Sequence, residues 1–310
     1  MSHGSESSEE PLWVVVGPTA SGKTEFAIAL AERIGGEVIG ADSVQVYREF
    51  DIGTGKPTDE QRNRVPYHWV DVLDPLESID AAAWAENAHR LVLDLRSRAR
   101  GVVVCGGSFL WVKALLFGLL PAPPADPLLR AEHRAEAEAK GRPALHARLA
   151  EVDPPLAARL APNDLVRVSR ALEVFELTGV RLSEWQAQHG FRQARHQFRL
   201  LGLRRDSEEL DQRIRDRTQA MLDSGWVEEV CRLQQAGYAN ARAMGSVGYR
   251  QIAAALDAGA AGAMSELATS IARATRVFAR RQRTWLRDQP VQWLPDTPEA
   301  LDRLLTDASP

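Results

Sequence analysis

Eight consecutive residues, Gly17-Pro18-Thr19-Ala20-Ser21-Gly22-Lys23-Thr24, carry the types needed to grip a diphosphate or triphosphate. They fit the spacing G-x-x-x-x-G-K-[ST]. Glycines let backbone N–H groups close around phosphate oxygens, and a helix start adds partial positive charge. Lys23 can reach an outer phosphate, and the Thr24 hydroxyl can ligate a magnesium ion. A chance glycine-rich turn would need no particular flanks, whereas here both flanks are right. Residues 12–16 are apolar and mostly β-branched, as a buried parallel strand requires, and residues 25–34 read as a helix with Phe26, Ile28, Ala29 and Leu30 for packing. The motif specifies a bound phosphate chain, not its identity or its fate.

Other reactive side chains fall where strands end. A short strand at 37–39 runs into Ala41-Asp42-Ser43. In open α/β sheets the ligand lies beyond the carboxyl ends of the strands, so Asp42 belongs beside the phosphate loop. It could serve there as a magnesium partner, a general base or a helix cap. The most apolar strand, 102–104, ends in Gly106-Gly107-Ser108 and opens a helix carrying Leu110, Trp111 and Leu115. Ser108 is then an N-cap, a donor aimed into the site, or both. Asp51-Ile-Gly-Thr-Gly-Lys-Pro57 is a glycine-rich loop that by itself reads as a turn. A helix at 211–222 bears Arg213, Arg215 and Arg217, each suited to a phosphate through its guanidinium fork.

Further elements must position these groups. Residues 67–72 read as a strand, 80–98 as an amphipathic helix packing through Trp84, Ala88, Leu91 and Leu95, and 200–203 as a strand that returns to the sheet. Pro121-Ala-Pro-Pro-Ala-Asp-Pro127 is a stiff break, and 128 to about 190 is wholly helical, with Gly179 as a C′ glycine and Arg167 and Arg170 on one helix face. The expected domains are a tail at 1–10, an α/β core made of 11–125 and 195–310, and a helical insertion lobe at 126–194. Gly245-Ser-Val-Gly-Tyr-Arg250 is a compact loop with an aromatic residue and a cation. The helix 267–286 bears Arg273, Arg276, Arg280, Arg283 and Arg287 at spacings of three and four, with no Asp or Glu between 273 and 287, while Ile271, Ala274, Phe278 and Trp285 lie on a packing face. A solvated face mixes signs; an unpaired arginine stripe suits a phosphate backbone.

The bulk numbers bound the answer. Hydrophobic content of 45% and charged content of 26% are those of a globular protein, and a formal net charge of −4 leaves any nucleic-acid surface local. Two cysteines, Cys105 and Cys231, exclude a disulfide scaffold and a cysteine zinc site. The first ten residues lack an apolar stretch of signal-peptide type, and 102–120 divides into a strand and a helix better than it spans a membrane. A cytoplasmic monomer is expected.

With these pieces in place, the sequence resembles the tRNA dimethylallyltransferases, which prenylate adenosine 37 beside the anticodon. The resemblance rests on Gly17–Thr24, Ala41-Asp-Ser43, 51–57, Gly106-Gly107, Pro162-Asn-Asp164 with Arg170-Ala-Leu-Glu-Val174, Val247-Gly-Tyr-Arg250, and Arg281-Gln with Thr284-Trp-Leu-Arg287, in the family's order from about 12 to 294. It implies a P-loop NTPase-like parallel sheet with an all-helical insertion lobe. It also implies that the loop holds dimethylallyl diphosphate with Mg²⁺ at Thr24, and that the reaction is alkyl transfer to the adenine N6 amine. Lys23 and Arg217 would face the diphosphate, Asp42 would be the base, and Ser108 would stand for the family's usual Thr; Trp111 replaces a common Tyr. The implied tRNA contacts are Asp42, Ser43, Val44 and Gln45; Ser108; Arg130; Val166, Arg167, Val168, Ser169 and Arg170; Gly245, Ser246, Val247, Gly248, Tyr249 and Arg250; and Arg280, Arg281, Gln282, Arg283, Thr284, Trp285, Leu286 and Arg287. The lobe would clasp the anticodon stem. Lacking a zinc finger, the chain resembles the shorter bacterial type. The alternatives are an adenylate prenyltransferase or nucleotide kinase acting on a free nucleotide, and a nucleotide-switched RNA-binding protein without chemistry.

Overall fold

A computed structural model describes residues 10–190, 193–259, 264–295 and 297–307. The expected N-terminal tail, but for Glu10, lies outside the described residues. The chain divides into two compact units, 1–116 with 195–310, and 117–194.

The first unit is built on six parallel strands: β1 (Leu12–Val16), β2 (Glu37–Gly40), β3 (Tyr67–His68), β4 (Val102–Gly106), β5 (Phe198–Leu203) and β6 (Gln292–Leu294). Their order is β3-β2-β4-β1-β5-β6. Every residue of β1, β2 and β4 is buried, which is why β1 and β4 are continuous apolar runs without alternation, while β2 opens on Glu37, whose buried carboxylate pairs with His68. The helix Lys23–Arg33 covers one face through Phe26, Ala27, Ile28, Leu30 and Ala31. Across residues 81–97 the expected helix forms, capped by Asp80, but its inward positions are Trp84, Ala88, Val92 and Leu95, with Leu91 only half-buried. Leu110 is likewise exposed where Trp111 and Leu115 are buried.

Two expectations need correction here. The strand foreseen at 67–72 ends at His68, because Trp69 (φ 62°) and Asp71 (φ 59°) take left-handed conformations that no strand accommodates. Residues 71–73 instead run beside 45–47, where the Asp71 and Val72 N–H groups donate to the carbonyls of Gln45 (3.1 Å) and Val46 (2.9 Å). The stripe from Arg273 to Arg283 sits on the helix Met264–Leu286, with Arg287 just past its end, but the helix's packing face is Leu267, Ile271, Ala272, Ala279, Gln282 and Leu286; Phe278 is exposed.

The second unit is all helical: Pro127–Lys140, Arg142–Val152, Pro154–Ala157, Leu165–Thr178 and Leu182–His189. Its core joins Leu145, Leu149, Leu156, Val168, Leu172 and Val174. Gly179 ends the fourth helix in a left-handed conformation (φ 70°), with its N–H bonded to the Phe175 carbonyl. At the centre of the unit the buried Glu173 carboxylate accepts from Arg130 (2.9 Å twice), from Arg170 (2.6 Å) and from the Asp126 N–H (2.6 Å). Burial pushes that carboxyl's pKa up, and the two arginines outweigh it and hold the group below the usual carboxylate value.

Candidate active site

The site forms because β2 and β4 leave the sheet almost in contact. A Cβ at Gly106 would sit 2.0 Å from the Ala41 carbonyl, so only glycine permits the approach. Ala41 is bonded on both sides to the neighbouring strand: its N–H donates to the Cys105 carbonyl (2.8 Å) and its carbonyl accepts from the Ser108 N–H (3.1 Å). Asp42 and Ser108, remote in sequence, are thereby placed side by side at the carboxyl edge of the sheet. Ser108 Oγ accepts from the Ser43 N–H at 2.9 Å and donates to Ser43 Oγ at 3.1 Å. Asp42 Oδ1 accepts from the N–H groups of Val44 (3.0 Å) and Gln45 (3.3 Å). The carboxylate therefore caps its own turn with one oxygen and leaves Oδ2 for other work.

The phosphate loop leaves β1 opposite. It turns through Ala20 (φ 63°) and Gly22 (φ 93°) into the helix that begins at Lys23. Its carbonyls are held from outside, Ala20 O by Arg213 Nε at 2.8 Å and Ser21 O by Arg205 Nε at 3.2 Å. The three arginines of one helix thus have separate tasks: Arg213 grips the loop, Arg215 pairs with Gln212, and Arg217 enters the cavity. Ser21 is fully buried, and its hydroxyl has no partner among the described residues.

Thr19, Ala20, Lys23, Thr24, Asp42, Ser43, Val44, Gln45, Ser108, Arg217, Gly245, Ser246, Val247 and Gln282 line one cavity of about 300 Å³. Its apolar side consists of Ile214, Met221, Trp226, Val247, Ile271 and Phe278. Burial lowers the Lys23 pKa, with Arg217 adding to the effect and Asp42 opposing it; burial likewise lowers that of Arg217, again against Asp42. Two cations made costly by desolvation and one carboxylate leave a pocket whose charge calls for an anion. Among the described residues no three His, Cys, Asp or Glu side chains cluster to hold a metal.

The glycine-rich loop at 51–57 is part of the wall and not a bare turn. Glu229, buried in the helix Trp226–Gln235, accepts from the N–H groups of Ile52 (2.8 Å) and Asp51 (3.2 Å) and from the Tyr249 hydroxyl. Gln45 Nε2 donates to the carbonyls of Thr54 and Gly55, both at 3.1 Å. Gly53 lies against Trp226, where a Cβ would be 2.0 Å from the indole. Sequence reasoning missed this scaffold, since a buried glutamate in an amphipathic helix looks like any other surface acid.

The arginine helix lines a second, larger groove of about 940 Å³, which Pro18 of the phosphate loop also lines. Arg204, Arg205, Arg273, Arg276, Arg280, Arg283 and Arg287 face it, and Asp211 is its one acidic lining residue among those described. The stripe is partly partnered: Arg276 lies 3.7 Å from Asp211, Arg287 lies 3.3 Å from Asp288, and Arg283 donates to Ser207 Oγ at 2.7 Å. Of the RNA contacts expected from sequence, Arg130, Val166, Arg167, Gly245, Arg250, Arg280, Arg281, Arg283, Thr284 and Arg287 are exposed. Val168, Ser169, Gly248, Tyr249, Gln282 and Leu286 are buried instead. Ser169 bonds His133 (3.0 Å), Tyr249 bonds Glu229, and Trp285 stacks on Phe109 at 4.3 Å. These six buried residues are enclosed by the protein and present no exposed side chain. Trp111 is also core, stacked 4.9 Å from Trp84.

The family model described as IPP transferase matches residues 45–289. The chain belongs to the IPP transferase family. A tRNA dimethylallyltransferase from Sorangium cellulosum is 62% identical over 91% of this chain and 90% of its own length. One from Geobacter sulfurreducens is 44% identical over 96% of each. Among solved structures, the full-length tRNA isopentenylpyrophosphate transferase of Bacillus halodurans is similar with a TM-score of 0.71 and 33% identity, covering 96% of this chain and 95% of that one. A eukaryotic dimethylallyltransferase acting on tRNA shares the fold (TM-score 0.75, 24% identity, 94% and 75% covered). In this member of the IPP transferase family the phosphate loop, Asp42 and Ser43 all precede the matched span, yet they close the same cavity as Ser108 and Arg217 within it. No helix of the described residues is long and apolar enough to cross a membrane.

Proposed function

We propose that the protein transfers the dimethylallyl group of dimethylallyl diphosphate to the N6 amine of adenosine 37 in tRNA, as a cytoplasmic monomer. The observation that carries this reading is the composition of the 300 Å³ cavity: a phosphate loop with Arg217, a carboxylate and a hydroxyl at Asp42 and Ser108, and the apolar side chains of Ile214, Met221, Trp226, Val247, Ile271 and Phe278. An enzyme acting on a free nucleotide would have no need of the arginine-lined groove beside it.

The diphosphate lies against the loop N–H groups, Lys23 and Arg217, which stabilise the charge that grows as it leaves. The isopentenyl carbons rest on the apolar wall. The N6 nitrogen attacks the allylic carbon, the carbon–oxygen bond to the diphosphate breaks with its electron pair, and the N6 proton passes to Asp42 Oδ2. Ser108 contributes by rotating its hydroxyl hydrogen from Ser43 Oγ toward the bridging oxygen, while it continues to accept from the Ser43 N–H. A magnesium ion fits the donor set, because Mg²⁺ takes one or two protein oxygens and completes its shell with phosphate oxygens and water. Thr24 would hold it, and when bound it neutralises diphosphate charge.

The RNA lies along the arginine groove, with the helical unit on the anticodon stem through exposed side chains such as Arg167. The target base leaves its stack to reach the cavity. The test uses purified protein, Mg²⁺, labelled dimethylallyl diphosphate and unmodified tRNA, with AMP, and ATP plus nucleosides, in parallel. Label in tRNA alone is expected. Label in AMP, or phosphate moved from ATP to a nucleoside, overturns the assignment.

A further inference from the structure

Gln282 stands among arginines in the helix Met264–Leu286, but its side chain turns the other way. Only 5% of it is exposed, and both ends of its amide are used. Oε1 accepts from the Thr19 N–H of the phosphate loop at 2.8 Å, and Nε2 donates to the Gly107 carbonyl at 3.1 Å. Gly107 is shaped to this contact, since a Cβ there would lie 2.4 Å from Nε2. One amide therefore ties three segments: the diphosphate loop, the turn that presents Ser108, and the helix that carries the arginine stripe.

We propose that Gln282 is a positioning residue for diphosphate binding, and not an RNA contact. Thr19 N–H belongs to a loop whose other N–H groups must converge on phosphate oxygens. Fixing that one amide and the facing Gly107 carbonyl sets the distance between Lys23 and Thr24 on one side and Asp42 and Ser108 on the other. The loop's outer carbonyls are already held by Arg205 and Arg213, so Gln282 is its inner anchor. Glutamate would keep the acceptor but lose the donor to Gly107, and would add negative charge beside the diphosphate. Methionine keeps the length and volume and loses both bonds.

The proposal rests on the reaction proposed above, so its test includes a measurement that needs no turnover. Affinity for inorganic pyrophosphate with Mg²⁺ and affinity for an unmodified anticodon stem-loop are measured by titration for wild type, Gln282→Met and Gln282→Glu. KM and kcat are taken from transfer assays. Losing two hydrogen bonds predicts pyrophosphate binding weaker by about tenfold in the methionine variant, and weaker still with glutamate. The KM for dimethylallyl diphosphate should rise in parallel, and RNA affinity should stay within about twofold, as for a residue that does not touch RNA. Gly107→Ala reaches the same amide from the other side, and combining it with Gln282→Met should add little to either alone. Weakened RNA binding with unchanged pyrophosphate affinity would make Gln282 an RNA contact and overturn the proposal. Unchanged affinity for both would overturn it as well. Pyrophosphate binding that responds as expected in a protein that fails to prenylate tRNA would sustain the positioning role and refute the reaction.

Discussion

Replacing Asp42 separates the cap made by one oxygen from the proton acceptance proposed for the other. Oδ1 caps the turn through Val44 and Gln45, and the proposed reaction gives the N6 proton to Oδ2. Asparagine keeps an acceptor of the same length at the cap but cannot act as a base. Alanine loses both. A positioned general base contributes about 10²–10⁴ in rate, so kcat for transfer should fall by about that factor in both variants. Stability should distinguish them. Loss of a side-chain cap costs about 0.5–2 kcal/mol. In a chain of this size each kcal/mol lowers Tm by about 2–4 °C, so Asp42→Ala should melt a few degrees below Asp42→Asn.

A second signature follows from charge. Asp42 raises the pKa of Lys23, which burial holds below its usual 10.5. The lysine is charged on the acid side, so pyrophosphate affinity should be lost as pH rises through that lowered pKa. With the carboxylate neutralised in Asp42→Asn, the loss should begin at lower pH. The assay is single-turnover transfer of labelled prenyl diphosphate to saturating stem-loop RNA, with thermal melts and pyrophosphate titrations at several pH values. An Asp42→Asn enzyme within tenfold of wild type in single-turnover rate would exclude Asp42 as the base.

Neutralising Arg280 and Arg283 to glutamine should weaken tRNA binding and reduce the salt dependence by about 0.7–0.9 in log–log slope for each phosphate no longer neutralised; an unchanged slope would return both to ordinary surface. Glu173→Gln leaves Arg130 and Arg170 without their buried counter-charge, and breaking such a group costs about 3–5 kcal/mol, read as a lower urea midpoint for the helical unit. His196 is buried beside His89 and Arg96, and burial foremost lowers its pKa from 6.5 to about 4. The unfolded chain thus binds more protons between those values, stability should fall as pH drops from 6.5 toward 4, and His196→Gln should flatten that part of the profile in urea melts.

The parts of the fold set by local rules were legible in the sequence. Strands β1 and β4 announce themselves because burial on both faces demands unbroken apolar runs, and Gly179 stops its helix because the left-handed C′ position favours glycine. Strand β6 escaped notice because it lies at the sheet edge with Gln292 and Trp293 exposed, so it lacks the apolar signature of its neighbours. Asp42, Ser108 and Lys23 could be found by asking where strands end. What one sequence cannot supply is which distant group each will meet. Nothing local couples Gly106 to Ala41 or Glu229 to the loop at 51–57.

Gln282 entered the expected RNA set through the family resemblance, and helical spacing offers a second reading of it. The resemblance takes residues 280–287 as one RNA-contacting segment, the glutamine included. Taken by spacing, Leu267, Ile271, Thr275, Ala279, Gln282 and Leu286 recur every three or four residues, one turn apart on the helix. That row is the face the structure buries, with only Thr275 remaining half-buried. A polar side chain on a packing face must satisfy both ends of its amide inside the protein. From the sequence alone it was therefore possible to ask which backbone N–H and which carbonyl Gln282 would meet. The phosphate loop, with more N–H groups than any strand pairs, is where such an acceptor is needed.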